Sequence, residues 1–117
     1  MFQSKKKKIM SYLENKQSIE KLTVFDVLLH DYLSGNLKSE FDTIGFSRIE
    51  IHIDWLDDYR CIEITGKYGK YQIEIKIEPS EFTIAYDEDE PEEYKTCSLI
   101  NKDSLYLEIQ TLLNGLK

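Results

Sequence analysis

The sequence predicts a two-layer α+β fold in which helices from both ends of the chain pack on one face of an antiparallel sheet. First, isoleucine recurs at alternate positions between Phe46 and Tyr86, a period typical of strands with one buried face. Second, turn residues divide this stretch into four consecutive segments. Third, apolar residues on either side of it follow helical spacing. The predicted order is αα-ββββ-α, the arrangement expected when helices cover one side of a sheet.

Length and composition indicate one domain, 1–117, because 117 residues leave room for a single core. No apolar run approaches the roughly 18 residues that a membrane span requires, and the start MFQSKKKKIM has no apolar signal core. Cytoplasmic location is therefore expected. Cys61 and Cys97 lack the spacing of a zinc site or a disulfide scaffold, and no metal or cofactor is predicted.

Helical segments are recognised by apolar spacing and capping residues. Thr23 followed by Asp26 has the form of a capping box, which predicts that a helix begins at about residue 24. Gly35 ends that helix and Gly115 ends the last one. The predicted helical segments are 4–16, 24–33, one further turn at 37–43, and a last helix that begins near Asn101 or Asp103.

The strands of the predicted meander are 46–56, 59–65, 70–78 and 81–86, and a fifth at 94–99 is left open. Turns at 57–58, 66–69 and 79–80 join the four strands. These turns place Ile53 opposite Ile62, Ile62 opposite Ile73, and Ile73 opposite Tyr86. Because side chains alternate between faces, this register gives the sheet one apolar and one polar face.

An acidic run, DEDEPEE at 87–93, follows the fourth strand. Like charges repel one another, so the run is predicted to be a solvated loop. The whole chain carries a net charge of -7. Such a charge disfavours nucleic-acid binding, which depends on cationic side chains that neutralise phosphates. It favours a basic protein as a partner, although it also serves solubility.

Two groups of ionisable residues offer alternatives to a non-enzyme. Glu50, His52, Asp54 and Glu63 bring metal-ligand types to the polar face, but charged residues at alternate positions are also typical of any solvated sheet face. Asp58 with Glu74-Ile75-Lys76 resembles the D…E-x-K pattern of restriction-type nucleases, which implies a magnesium-dependent nuclease using Asp58, Glu74 and Lys76.

The chain has no G-x-S-x-G motif and no glycine-rich phosphate loop, and the nuclease pattern lacks its crossover helix, so a non-enzyme is favoured.

The expected function is that of an acidic protein-binding module. In build it resembles immunity proteins, antitoxins and secretion chaperones, which implies an inhibitor or escort of a basic protein. A structural or oligomerisation module is the other alternative, and both monomer and dimer are left open. In the binding interpretation Tyr86 or Tyr94 anchors the partner, and six acids steer it: Asp87, Glu88, Asp89, Glu90, Glu92 and Glu93.

Overall fold

Four helices and one five-stranded sheet are formed by the residues that the computed structural model describes, which are 5–19, 21–56 and 58–116. The helices are α1 (Lys5–Ile19), α2 (Val24–Ser34), α3 (Asn36–Ile44) and α4 (Lys102–Gly115). The strands are β1 (Ser47–Trp55), β2 (Arg60–Tyr68), β3 (Tyr71–Ile77), β4 (Glu81–Asp87) and β5 (Glu92–Ser98). The predicted fold class is confirmed. Residue 4 of the predicted first helix and residue 57 of the first turn lie outside the described residues.

The helix boundaries follow from capping. Thr23 Oγ1 accepts a hydrogen bond from the Asp26 amide at 3.2 Å, and the Asp26 carboxylate accepts one from the Thr23 amide at 2.9 Å, so the predicted capping box is present. Gly35 ends α2 with φ 84°. The turn predicted at 37–43 is a complete helix of 9 residues. The Asn101 side chain caps α4, because its Oδ1 accepts a hydrogen bond from the Ser104 amide at 2.8 Å.

The sheet is an antiparallel meander in the order β1-β2-β3-β4-β5. Ile53 lies opposite Ile62, and Ile73 lies opposite Tyr86, as predicted. The predicted β2–β3 register is wrong, because Ile62 lies opposite Ile77 rather than Ile73. Strand β2 continues through Gly66 to Tyr68, and a two-residue turn with Gly69 at φ 61° leads into β3. The pairing is displaced by an even number of residues, so the apolar and polar faces keep their identities.

Residues 92–98 form the fifth strand that the sequence left open. The prediction of a loop over all of 87–93 is wrong at both ends. Asp87 belongs to β4, where it lies opposite Gln72, and Glu92 begins β5 opposite Tyr86. Backbone pairing across β4 and β5 therefore holds these acids in a hairpin, and only residues 88–91 connect the two strands.

The core lies between the helices and one face of the sheet. Every strand residue of the buried cluster within β1 to β4 comes from the apolar rows, and all four helices contribute to it. Its fully buried members include Ile9, Leu13, Leu28, Leu37, Phe41, Ile62, Ile64, Ile75, Ile84, Leu105 and Ile109. Arg60, the one cation in those rows, lies with its guanidinium carbon 4.0 Å from the Trp55 ring centroid. None of the helices in the described ranges is long and apolar enough to cross a bilayer.

Replacing Arg48 with glycine is expected to raise the free energy of unfolding by about 0.5 kcal/mol. Arg48 has φ 52° within an irregularity of the β1–β2 ladder between Ser47 and Glu50. A residue with a Cβ is strained in this left-handed region by about 1–2 kcal/mol, and the greater unfolded-chain entropy of glycine offsets part of the gain. Urea denaturation measures the change. Arg48→Ala, which removes the same charge but retains the Cβ, serves as the control and should give no gain; equal stability of the two variants would contradict the explanation.

Candidate functional site

Three tyrosine rings form a continuous row at the end of the sheet next to the acidic hairpin. The Tyr71 and Tyr86 ring centroids are 6.0 Å apart, and those of Tyr86 and Tyr94 are 5.5 Å apart, both in edge-to-face geometry. Tyr86 lies on the face that the helices cover, and it is half-buried. Tyr94 is 49% exposed. The structure thus brings the two predicted anchors into contact and leaves the outer one accessible.

A lysine of the chain itself is bound at one end of this row. Lys70 Nζ lies 5.5 Å from the Tyr71 ring centroid and 2.9 Å from Glu88 Oε1 in the acidic hairpin. The Glu88 carboxylate raises the pKa of Lys70 above its usual value. An ammonium group is therefore held between a tyrosine ring and a hairpin carboxylate, which is the contact that a basic partner would need.

The six acids of the hairpin do not all face the tyrosines. Glu92 lies opposite Tyr86 and shares its side of the sheet, whereas Glu93 lies opposite Ala85 on the polar face. Glu93 also accepts a hydrogen bond from Thr96 Oγ1 at 2.9 Å. Asp87 is half-exposed. The other five acids are exposed: Glu88, Asp89, Glu90, Glu92 and Glu93. The charge is thus spread around the hairpin tip, an arrangement suited to steering a partner from several directions.

The hairpin could bind an extended basic segment. The tyrosine rings offer apolar faces for the stems of lysine or arginine, and the carboxylates of Glu88 and Glu92 lie near enough to pair with their charged heads. This chemistry requires no metal, nucleophile or general base. The acidic tyrosine hairpin, defined as residues 86–94 with Tyr71, is the candidate site.

The polar face of the sheet holds a second group of ionisable side chains. His52 Nε2 is 3.0 Å from Asp54 Oδ1, and Lys76 Nζ is 3.8 Å from Glu74 Oε1. Partial burial, and then a hydrogen bond with Glu63, raise the pKa of Glu74. Among the residues described, no three histidine, cysteine or acidic side chains are placed to hold a metal ion. This face therefore has the structure of a solvated, hydrogen-bonded surface.

The three residues of the nuclease alternative are not brought together. Glu74 lies opposite Thr65, and Asp58 precedes β2, seven residues before Thr65. At about 3.3 Å per residue this separates the two carboxylates by roughly 20 Å along the strand. Strand β3 also leads directly into β4, with the Glu78 amide donating to the Glu81 carbonyl at 2.8 Å in the turn. The geometry gives a magnesium site held by Asp58 and Glu74 no support.

Cys61 and Cys97 are free thiols. Cys61 is 1% exposed, and burial raises the pKa of its thiol. It lies opposite Asp54, and Glu74 lies opposite Thr65, four residues further along β2. The neighbouring Cys61 raises the pKa of Tyr59 to about 12. A buried thiol whose pKa is raised is a poor nucleophile, so the thiol contributes to packing.

Sequence reasoning missed Tyr71 and Lys70 as site residues. The place of Tyr71 could have been found from the correctly predicted β3–β4 register, since Tyr71 shares a face with Ile73 and therefore with Tyr86. Lys70 lies in the turn before β3, which the sequence placed at 66–69. The sequence also did not reveal a polar cluster between the helices. In it Lys102 Nζ lies 2.6 Å from Asp31 Oδ2, and the Tyr106 hydroxyl donates to Glu40.

Comparison of the chain with protein-family models, curated proteins and solved structures found no match. The fold and the site define the class: a two-layer α+β protein with an acidic tyrosine hairpin at one edge of its sheet.

Proposed function

We propose that this protein is a non-enzymatic binding module that captures a basic protein at the acidic tyrosine hairpin. The observation that carries the proposal is the placement of Lys70 between the Tyr71 ring and Glu88, because the chain already binds one of its own cations there. A lysine or arginine of a partner would use the same two kinds of contact at Tyr86 and Tyr94. The role is that of an inhibitor, as in immunity proteins and antitoxins, or of an escorting chaperone.

The charge of the chain supports capture by electrostatic steering. The hairpin run 87–93 contains six carboxylates and no cation, within a chain of net charge -7. Surfaces of this kind raise association rates with oppositely charged partners by about 10-fold or more at low salt. Two free thiols accord with a reducing compartment, and the cytoplasm is the proposed location.

Replacing the six hairpin acids by their amides is expected to slow association with the basic partner by about 10-fold or more at low ionic strength. The reason is the loss of long-range attraction, so the effect should shrink as salt screens the wild-type protein. The partner is first captured from the native host on immobilised protein, identified by mass spectrometry and purified. Stopped-flow mixing at several salt concentrations then gives the rate constants. The substitutions are Asp87→Asn, Glu88→Gln, Asp89→Asn, Glu90→Gln, Glu92→Gln and Glu93→Gln.

A matched variant separates local charge from net charge. It neutralises six acids elsewhere on the surface, so its net charge equals that of the hairpin variant: Glu14→Gln, Asp42→Asn, Asp58→Asn, Glu78→Gln, Glu81→Gln and Asp103→Asn. Association of this variant should fall much less than that of the hairpin variant. Equal slowing of the two variants would show that the hairpin is not the docking site, and recovery of no basic protein would contradict the proposal itself.

A further inference from the structure

Strand β1 forms the edge of the sheet opposite the hairpin and presents backbone groups that no strand in the described part of the chain uses. The Leu56 amide donates to the Tyr59 carbonyl at 2.9 Å, which shows that the even-numbered residues of β1 bond to β2. The odd-numbered residues must then point their amides and carbonyls outward. Lys5 Nζ confirms this by donating to the outward carbonyl of Ile53 at 2.6 Å. The corresponding groups of Ile51 face away from the sheet.

The two edges of the sheet differ in how well they are protected against pairing. Strand β5 carries several charged side chains and an irregularity in its pairing with β4 between Ile84 and Ala85, features that block edge-to-edge association. Strand β1 also carries charged side chains, but among the described residues its outward backbone groups are interrupted only by the irregularity before Glu50 and by Lys5 at Ile53. Its middle, Glu50 to His52, is open.

A groove of about 850 Å³ runs beside this open stretch. Its lining includes the partly buried Ile49 and Ile51 of β1, residues at the end of α2 and in α3, and residues of the polar face: Tyr32, Gly35, Lys38, Glu50, His52, Glu63 and Thr65. An added strand would place its alternate side chains in this groove while its backbone bonds to β1. The groove therefore has the form required for an additional strand.

We propose that the added strand is β1 of a second copy of this chain, paired antiparallel around a twofold axis at Ile51. Ile51 of one copy then lies opposite Ile51 of the other, and the outward amide and carbonyl of each bond to the other copy. Ile49 faces Ile53 beyond this bonded stretch, because Lys5 keeps the Ile53 carbonyl. On the polar face Glu50 lies opposite His52 of the second copy, and the reverse pair follows by symmetry. His52 Nε2 is 3.0 Å from Asp54 Oδ1 in its own copy, which leaves Nδ1 as the ring nitrogen for a contact with Glu50 of the second copy. The result is one continuous sheet across both copies.

Charge complementarity selects this register over its neighbours. A twofold axis at Glu50 would place the Glu50 carboxylates of the two copies opposite each other. An axis at His52 would place Glu50 opposite Asp54, again two acids. Like charges directly opposite one another destabilise strand pairing, whereas opposite or hydrogen-bonding pairs stabilise it. Of the three alignments centred on the open residues Glu50, Ile51 and His52, only the one at Ile51 is thus free of opposed acids.

The test is the oligomeric state of three variants measured by sedimentation equilibrium. The wild type should sediment at twice the 13.8 kDa mass of the chain. His52→Glu places two acids opposite each other at both symmetric positions, and its dimer dissociation constant should rise by about 10-fold or more. The double variant Glu50→Lys with His52→Glu restores complementary pairs and should return the dimer. Gln72→Glu, an exposed position on central strand β3, adds the same charge to the same face and should leave the dimer unchanged.

The substitutions lie on exposed side chains, so they test association rather than folding; His52 is 63% exposed. Hydrogen exchange adds a backbone measurement, in which the Ile51 amide is protected in the dimer and exchanges rapidly when His52→Glu is diluted to monomer. A monomeric wild type, or a dimer that is insensitive to His52→Glu, would overturn the proposal. Protection of the Ile51 amide only after another protein is added would also overturn it, because a different partner would then occupy the edge.

Discussion

Replacing Asp26 with alanine is expected to lower the free energy of unfolding by about 3 kcal/mol and the midpoint of thermal unfolding by roughly 10 °C. The Asp26 side chain is 1% exposed and accepts hydrogen bonds from Lys16 Nζ at 2.8 Å and from the Tyr12 hydroxyl at 2.9 Å. It also closes the capping box with the Thr23 amide. Alanine leaves these donors without an acceptor in a site that is mostly shielded from water. Thermal and urea denaturation measure the loss.

The effect of this substitution should depend on pH. Burial alone would raise the pKa of Asp26, but hydrogen bonds from Lys16, Thr23 and Tyr12 lower it below the usual 3.8. A carboxyl whose pKa is lowered on folding stabilises the protein at pH values above its unfolded pKa, and it loses that contribution as the pH falls through the folded value. The difference between wild type and Asp26→Ala should therefore be full at pH 7 and shrink below about pH 4.

Lys16, the partner of Asp26, sets the upper pH limit of this stabilisation. The hydrogen bond to Asp26 raises the pKa of Lys16, so the contribution of Lys16 to the free energy of unfolding is present below pH 10.5 and is lost as the pH rises through the folded-state pKa.

Asp42→Ala, which removes an exposed acid from α3, is the control for Asp26→Ala and should change stability by no more than about 0.5 kcal/mol. A difference between wild type and Asp26→Ala that stays constant from pH 7 to pH 3 would show that the ionised carboxylate is not the source of the stability.

Replacing Tyr94 with alanine is expected to weaken the complex with the basic partner by about 30-fold. Tyr94 is the exposed end of the tyrosine row and packs edge-to-face on Tyr86 at 5.5 Å. A rigid aromatic side chain next to carboxylates is the kind of residue that dominates binding energy. Its loss should appear in the dissociation rate, whereas loss of the hairpin acids should appear in the association rate.

Surface plasmon resonance with the purified partner separates the two rates. Tyr59→Ala is the matched control, because Tyr59 is 39% exposed and lies just before β2, at the end of that strand remote from Tyr68 and the turn to Tyr71. Tyr94→Phe should retain most of the affinity, since the ring rather than the hydroxyl makes the contact with Tyr86. Unchanged dissociation of Tyr94→Ala would exclude the tyrosine row from the interface.

The fold was largely predictable because its signals are local. Alternating isoleucines identify the strands, Thr23 and Asp26 identify a helix start, and short turns determine the β1–β2 and β3–β4 registers. The β2–β3 register was not predictable because Gly66 has the character of a turn residue. In the structure a Cβ at Gly66 would approach the Phe46 ring to 2.9 Å, so the glycine serves a tertiary contact within a strand.

The candidate site was predictable only in part. Strand β5 has no apolar alternation, and nearly all of its residues are exposed, so its structure comes from backbone bonding to β4 rather than from a pattern. Contact between Tyr86 and Tyr94 depends on that pairing. The contribution of Lys70 depends on a turn that the sequence placed elsewhere, and no local signal joins it to Glu88.

Opposite charges lie at opposite edges of the sheet. Helix α1 begins with Lys5, Lys6, Lys7 and Lys8, and Lys5 reaches the β1 edge, whereas the acidic hairpin joins the strands at the β5 edge. A single copy of the chain therefore has an electric dipole directed across its strands. In the twofold dimer proposed above the two dipoles oppose each other, and an acidic hairpin lies at each end of the joined sheet, so a cationic body would be attracted to either end.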